Sequence, residues 1–148
     1  MTDTPVIDRQ DLEADGWQCI EADGFTGLAG PIWRRGQGDQ QQIGLLLEAK
    51  HCNYHLGTVH GGLVMTFADI GLGLGVSAVM GDKSMGCVTV SLQTQFVSVA
   101  RVGEFITCQP EIVRASRQLV FLRGLIKAGD RTVASCEGIW KLLDSAAR

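Results

Sequence analysis

Residues 60–80 read HGGLVMTFADIGLGLGVSAVM, a nearly unbroken apolar run behind a histidine and two glycines. The run Gly61–Met80 is predicted to be one long helix, ended near Gly81. Asp69 is its one ionisable side chain. A carboxylate in the middle of an apolar segment is costly to bury unless something compensates it. Ionisable groups in such surroundings cluster at functional sites. The paired glycines Gly61 and Gly62 would open the helix with bare backbone N–H groups, an anion-stabilising end. One segment therefore offers a general base or nucleophile and an oxyanion donor, the minimum set for hydrolysing an acyl group.

The same stretch, about 20 residues, is long enough to cross a bilayer. Its central Asp69, its five glycines and the lack of a flanking basic cluster favour a buried soluble helix instead. Gly71, Gly73 and Gly75 each cost roughly 1 kcal/mol relative to Ala in a helix. The expected return is close approach: small residues let another backbone pack tightly, as in a helix wrapped by a strongly curved sheet. The GLGLG run is not read as a dinucleotide motif, because it lies inside a helix and lacks the strand–turn context.

Outward from the helix the pattern changes. Residues 8–15 are predicted to make a short surface helix stopped by Gly16, and residues 24–31 to be glycine-rich and irregular. Residues 32–35 and 42–49 read as two strands joined by a turn at 36–39. Residues 50–59 form a polar loop leading into the helix. After Gly86 the period becomes two: Val88, Val90, Leu92 and Phe96 alternate with Cys87, Thr89, Ser91 and Gln95. That alternation puts Thr89 and Ser91 on one face. Further strands are predicted over 105–114, where Pro110 suggests an edge or bulge, then 117–127 and 132–142. In the last, Ala134, Cys136, Gly138 and Trp140 oppose Val133, Ser135, Glu137 and Ile139. Two strands, one long helix and four meandering strands make an α+β fold, a curved antiparallel sheet over one helix. The length of 148 residues fits a single domain, 1–148, with residues 1–23 as an N-terminal extension carrying the short helix.

Bulk composition narrows the function classes. Hydrophobic content of 45% and charged content of 20% suit a soluble globular domain. A net charge of −3 gives no ground for a nucleic-acid or anionic-membrane partner. The first fifteen residues are acidic and polar, unlike a signal or transit peptide. Five cysteines, at 19, 52, 87, 108 and 136, form an odd set without CxxC spacing, so a cytoplasmic protein with free thiols is expected. His51, Cys52, His55 and His60 match no closed four-ligand zinc spacing, and no metal is expected. The HGG also resembles the oxyanion loop of α/β-hydrolases, yet the chain has no G-x-S-x-G and is too short for that fold.

The helix start and Asp69 cannot easily share one site within one chain. Nine steps from His60 put Asp69 on the opposite side of the helix, about 13 Å further along. Eight steps from Gly61 give about 80° and about 12 Å. A thioester carbonyl needs its oxyanion donor within hydrogen-bond reach while the base sits on its other side. Two antiparallel copies of the helix would supply both, so a catalytic role predicts a two-fold dimer with two composite sites.

Asn53, Gly57-Thr58-Val59-His60-Gly61-Gly62 and Asp69, followed by Val88-Thr89-Val90-Ser91-Leu92, Phe96 and Gly103-Glu104, resemble the hotdog-fold acyl-CoA thioesterases. The nearest subgroup is that of the phenylacetate-pathway and mammalian type-13 enzymes, within the 4-hydroxybenzoyl-CoA thioesterase-like superfamily. The resemblance covers roughly residues 24–143. It implies a five- or six-stranded sheet around the helix and a homodimer with a continuous sheet, often paired into a homotetramer. It implies that Asp69 is the nucleophile or general base and that the Gly61 N–H polarises the thioester carbonyl. Asn53 would assist, and Thr89 would place the thioester or the attacking water. Coenzyme A, part of the substrate rather than a cofactor, would lie at the subunit interface. The family's asparagine stands six positions before the histidine, where this chain has Tyr54. A one-residue bulge at His55-Leu56 would restore Asn53, seven before; otherwise its role is lost or passes to His55.

Each residue also has a plainer role. Asp69 would be a hydrogen-bonded structural aspartate, Thr89 a β-branched strand former and Asn53 a turn residue. Gly61 and Gly62 would serve packing. His60 suits a turn-shaping backbone hydrogen bond better than catalysis. Ser91, sharing the face of Thr89, is a further candidate for substrate contact, with His60 and Gly62. Arg114, Ser116 and Arg117 at a strand-to-strand turn are candidates for the coenzyme A phosphates, against simple solvation. Phe25, Leu63, Phe67 and Trp33 are candidates to line the acyl pocket. The expected function is hydrolysis of an acyl-CoA thioester. The alternatives are a hotdog hydratase or dehydratase, with His60 as base, and a non-catalytic acyl-CoA binder.

Overall fold

Asp8 starts the first helix. Its carboxylate accepts from the Asp11 N–H, and the Asp11 carboxylate accepts from the Asp8 N–H, a reciprocal cap on α1 (Arg9–Ala14). Gly16, at φ 86°, turns the chain out of it. Next come β1 (Gln18–Ile20), α2 (Gly24–Ala29), β2 (Ile32–Arg35), β3 (Gln42–Leu46) and α3 (Gly61–Met80). After α3 follow β4 (Cys87–Phe96), β5 (Phe105–Cys108), β6 (Glu111–Ala115), β7 (Leu119–Ala128) and β8 (Arg131–Leu142). This computed structural model describes residues 6–54, 57–80 and 86–143.

Among the described residues, eight antiparallel strands form one sheet in the order β1-β2-β3-β5-β7-β8-β4, with β6 also against β7. The long helix matches its predicted span. The strands differ from the reading of two before α3 and four after it, and from the five or six of the resemblance. β1 has three residues, too few to show an alternation. Pro110, without an N–H, divides the strand predicted over 105–114 into β5 and β6. The glycine-rich segment predicted to be irregular contains α2. β3 stops at Leu46, and Ala49–His51 forms a 3-10 turn.

The core lies between α3 and the sheet. Val64, Phe67, Ala68, Leu72 and Val76 recur at three- and four-residue spacing and are buried there. Removing a side chain such as Phe67 or Leu72 from water contributes about 1.5–3 kcal/mol. From the sheet, Ile43, Leu45, Ile106, Val120, Leu122, Ile126 and Trp140 meet them. By length and composition α3 could cross a membrane, but here it is the central helix of this core. On the other face of the sheet, Leu12 of α1 packs with Trp17 and Trp33 in a smaller cluster.

The glycines of α3 admit side chains of the sheet rather than a second backbone. A Cβ on Gly75 would stand 2.5 Å from the Pro110 Cβ and 3.1 Å from the Leu122 Cδ2. A Cβ on Gly73 would stand 3.4 Å from the Trp140 Nε1.

Candidate active site

Asp69, Gly73 and Ser77 follow one another at helical i, i+4 spacing, beside the stripe that faces the core. With Ile70 and Leu74 they form one wall of an open cleft of about 430 Å³. The N-terminal segment supplies a second wall through Ile20, Ala22, Asp23 and Thr26, and Ile32 adds to it from β2. Cys87 and Thr89 of β4 and Trp140 of β8 complete the lining. Asp69 is half-buried rather than sealed. The Thr89 hydroxyl donates to its Oδ1 at 2.5 Å.

Pairing with β8 aims Thr89. It stands opposite Trp140, whose indole is buried on the α3 side of the sheet, so Thr89 faces the helix too. The ladder then shifts: Ser91 pairs with Ile139, and Val90 is left without a partner. One extra residue in a strand reverses the facing of those that follow. Ser91 therefore turns to the outer face, where it lines a groove with Gln93, Val113 and Phe121. The expectation that Ser91 shares the face of Thr89 fails for this reason, since period-two counting assumes an unbroken ladder.

Cys87, on the same strand, lies close to the carboxylate. Burial pushes its thiol above the ordinary cysteine range, and the charge of Asp69 pushes it further. Its Sγ faces the Gly73 carbonyl at 3.9 Å. A thiol held protonated in this way is a poor nucleophile.

The start of α3 is organised by His60. Its carbonyl accepts from Leu63 and Val64, at 2.9 and 3.3 Å. Its Nδ1 accepts from the Gly62 N–H at 2.8 Å. That bond assigns the proton of the neutral ring to Nε2, so neither nitrogen is free to act as a base in this arrangement. Among the described residues, nothing accepts from the Gly61 N–H. The Asn53 N–H donates to the Thr58 carbonyl at 2.6 Å, closing the preceding loop. The predicted bulge at His55-Leu56 lies outside the described residues.

None of Asn53, His60, Gly61 and Gly62 lines the Asp69 cleft, as helix geometry requires within one chain. Nor do Arg114, Ser116 and Arg117. Both arginines are exposed. The Ser116 hydroxyl closes the β6–β7 turn, accepting from the Leu119 N–H and donating to its carbonyl, each at 3.1 Å. The predicted acyl lining is corrected as well. Phe25 is exposed, Phe67 lies in the main core and Trp33 in the outer cluster, while Leu63 packs beside the core. The parity of β2 sends Ile32, not Trp33, to the cleft. Trp140 was findable from its place on the inward face of β8; Ile20 and Asp23 carried no signal.

A larger cleft, about 660 Å³, lies elsewhere, over Gln42, Glu111, Arg123, Lys127 and Glu137. Charges of both signs line it, and Arg123 and Glu111 already pair at 3.0 Å. It holds nothing that resembles the Asp69–Thr89 pair.

This architecture has known counterparts. The Bacillus halodurans protein BH2602, solved with CoA, aligns at TM-score 0.73 and 25% identity, over 84% of this chain and 81% of that one. PaaI of Escherichia coli, from the phenylacetic acid degradation operon, shares the fold at TM-score 0.65 and 16% identity, over 90% of this chain and 83% of its own. In sequence, the chain is 36% identical over 116 residues to "Putative esterase PA0474" of Pseudomonas aeruginosa, covering 78% of this chain and 85% of that protein. The thioesterase superfamily matches residues 56–135, which hold the HGG turn, Asp69 and Thr89 together. An antiparallel sheet curved around one long helix, with that match across it, makes this chain a hotdog-fold member of the thioesterase superfamily.

Proposed function

We propose that the chain is an acyl-CoA thioesterase, releasing a free carboxylic acid and coenzyme A at two sites, each shared between two subunits. One observation carries this reading: Asp69, hydrogen-bonded by Thr89, stands in the lining of a cleft with apolar walls. Asp69 takes a proton from water as the oxygen attacks the thioester carbon, or attacks that carbon itself. The carbonyl oxygen gains the negative charge and is held by the Gly61 N–H of the second subunit, at the positive end of α3. When water attacks, the tetrahedral intermediate collapses, the C–S bond breaks, the proton held by Asp69 passes to the leaving sulfur, and the acid and coenzyme A leave. When Asp69 attacks, the C–S bond breaks to leave a mixed anhydride on Asp69, which water then hydrolyses to the free acid, its proton going to the thiolate.

The walls favour an uncharged acyl group. Ile32, Ile70, Leu74 and Trp140 supply apolar surface, and the carboxylate of Asp23 repels a second negative charge on the substrate. β4 supports the shared site. It is an edge strand of the sheet, and its Val88 and Val90 are exposed, so a second copy can extend the sheet there. Arg114 and Arg117 are the basic groups offered to the coenzyme A phosphates.

Thiol release from short, long and aromatic acyl-CoAs tests the reading, with Asp69→Asn run beside the wild type. Turnover should fall by about 10²- to 10⁴-fold in the variant with its fold intact. Near-wild-type turnover would remove Asp69 from the mechanism, and a strictly monomeric active enzyme would remove the shared site. Single turnover in H₂¹⁸O, with rapid quench and hydroxylamine trapping, separates the two roles: label in Asp69 or a trapped Asp69 hydroxamate marks direct attack, and label in the product with neither of these marks water activation.

A further inference from the structure

Among the described residues, His51 is the one polar or charged side chain that is buried, at 3% exposure. Both ring nitrogens are engaged. Nδ1 accepts from the Glu48 N–H at 2.9 Å. The proton then sits on Nε2, which donates to the Ala29 carbonyl at 2.8 Å. One ring therefore ties the 3-10 turn before the loop to the end of α2. An apolar residue of the same size would leave a partly buried N–H and a buried carbonyl without these partners.

The backbone of His51 performs a second task. Its carbonyl accepts from the His60 N–H at 2.9 Å. This bond closes the base of the loop, whose sides are joined by the Cys52–Val59 bridge. A helix begins with four amides that lack intrahelical partners or share the first carbonyl. Here His60 takes three of them: Gly62 through its ring, Leu63 and Val64 through its carbonyl. The Gly61 N–H is left over, and its direction follows from the peptide that joins Gly61 to His60. His51 holds the other side of His60. The two histidines act in series, the buried ring fixing a backbone and the exposed ring capping the helix.

We propose that His51 is a positioning residue for the oxyanion donor: its two-ended clamp sets the aim of the Gly61 N–H. The proposal rests on the reading of Gly61 as that donor. Its effect belongs to the transition state, since charge on the carbonyl oxygen develops only there. Loss of the clamp lowers kcat and kcat/KM together and leaves KM nearly unchanged.

Three variants test it in the full-length chain. His51→Phe removes both bonds. His51→Asn keeps an acceptor near the Nδ1 position, and His51→Gln keeps a donor near the Nε2 position. The acyl-CoA that the wild type cleaves fastest is the kinetic probe. Expected is a fall in kcat of about 10- to 100-fold for His51→Phe, with partial recovery in His51→Asn, which retains the bond that shapes the local turn. The amide resonances of Gly61 and Gly62 should move in all three, while those of Asp69 and Thr89 stay in place. Should His51→Phe not fold, Asn and Gln carry both measurements. A lowered melting temperature with unchanged kcat would make His51 merely structural and overturn the proposal, as would an unmoved Gly61 amide. Absence of thiol release from the wild type would instead overturn the thioesterase reading; the resonances of Gly61 then decide the clamp by themselves.

Discussion

Thr89 Oγ1 lies 2.5 Å from Asp69 Oδ1, joining an edge strand to the central helix at the wall of the cleft. The hydroxyl has one proton, and it is given to the carboxylate. One carboxylate oxygen is thus fixed, and the other stays available to water. Thr89→Val keeps the shape and removes the donor. Its turnover should fall by about 10-fold or more, with Thr89→Ser recovering most of the loss; the bond is a net contributor of roughly 1.5–3 kcal/mol when it reaches a charged group. Steady-state thiol release on all three proteins checks this, and equal turnover in Thr89→Val would confine the residue to strand formation.

Two neighbouring glycines should respond oppositely to the same substitution. Alanine gains about 1 kcal/mol over glycine in a helix. At Gly75 the new methyl would meet the Pro110 ring carbon at 2.5 Å, and that ring cannot rotate away. Overpacking of this kind costs about 1–3 kcal/mol, so Gly75→Ala is expected to lower the melting temperature. At Gly73 the nearest atom is the Trp140 Nε1 at 3.4 Å, the edge of ordinary contact. Gly73→Ala should be neutral or stabilising, while narrowing the cleft and raising KM for bulkier acyl groups.

Stability should depend on pH through His51. Burial lowers its pKa, helped by Lys50 and opposed by the bond to Ala29 and by Glu48. The unfolded chain, with an ordinary value of about 6.5, then binds the proton more readily than the folded one. The contribution is fully present above about pH 6.5 and is lost as pH falls from there through the lowered folded value. Urea unfolding at pH 7.5, 6.5 and 5.5 should show a steeper decline in the wild type than in His51→Asn. Parallel declines would show that the ring does not titrate with folding.

The free side of β4 should govern assembly. Val88 and Val90 are 47% and 58% exposed on an edge strand. Across a two-fold axis each meets a copy of its own strand, so one added charge is repeated on both sides. Val88→Lys or Val90→Lys should shift the sizing profile to monomer and abolish thiol release, with far-UV circular dichroism unchanged. A dimeric, active Val90→Lys protein would place the interface elsewhere.

Much of this arrangement is written locally, and the exceptions have physical causes. The span of α3 follows from one long apolar run opened by Gly61-Gly62, and the two-faced alternation that sets Trp140 opposite Ile139 follows from the period of the last strand. The facing of Ser91 does not, because the unpaired Val90 arises from how β4 lies along β8, and no single strand encodes its partner's register. The same holds for Ile32 against Trp33: two aligned apolar residues differ by one step, and only pairing with β3 says which faces the helix. His51 was legible as a histidine in a loop. Its burial depends on the carbonyl of Ala29, 22 residues earlier, which no short window contains.

The chamber beside Asp69 has two origins. Asp69 and Thr89 lie within the stretch of 56–135 matched by the superfamily. Its opposite wall, Ile20 to Ile32, lies wholly outside that stretch. The size of the chamber is therefore set jointly: Ile70 and Leu74 from inside the matched stretch face Ile20, Ala22, Asp23, Thr26 and Ile32 from outside it, so changes in the leading thirty-odd residues alone would resize the space beside the Asp69–Thr89 pair.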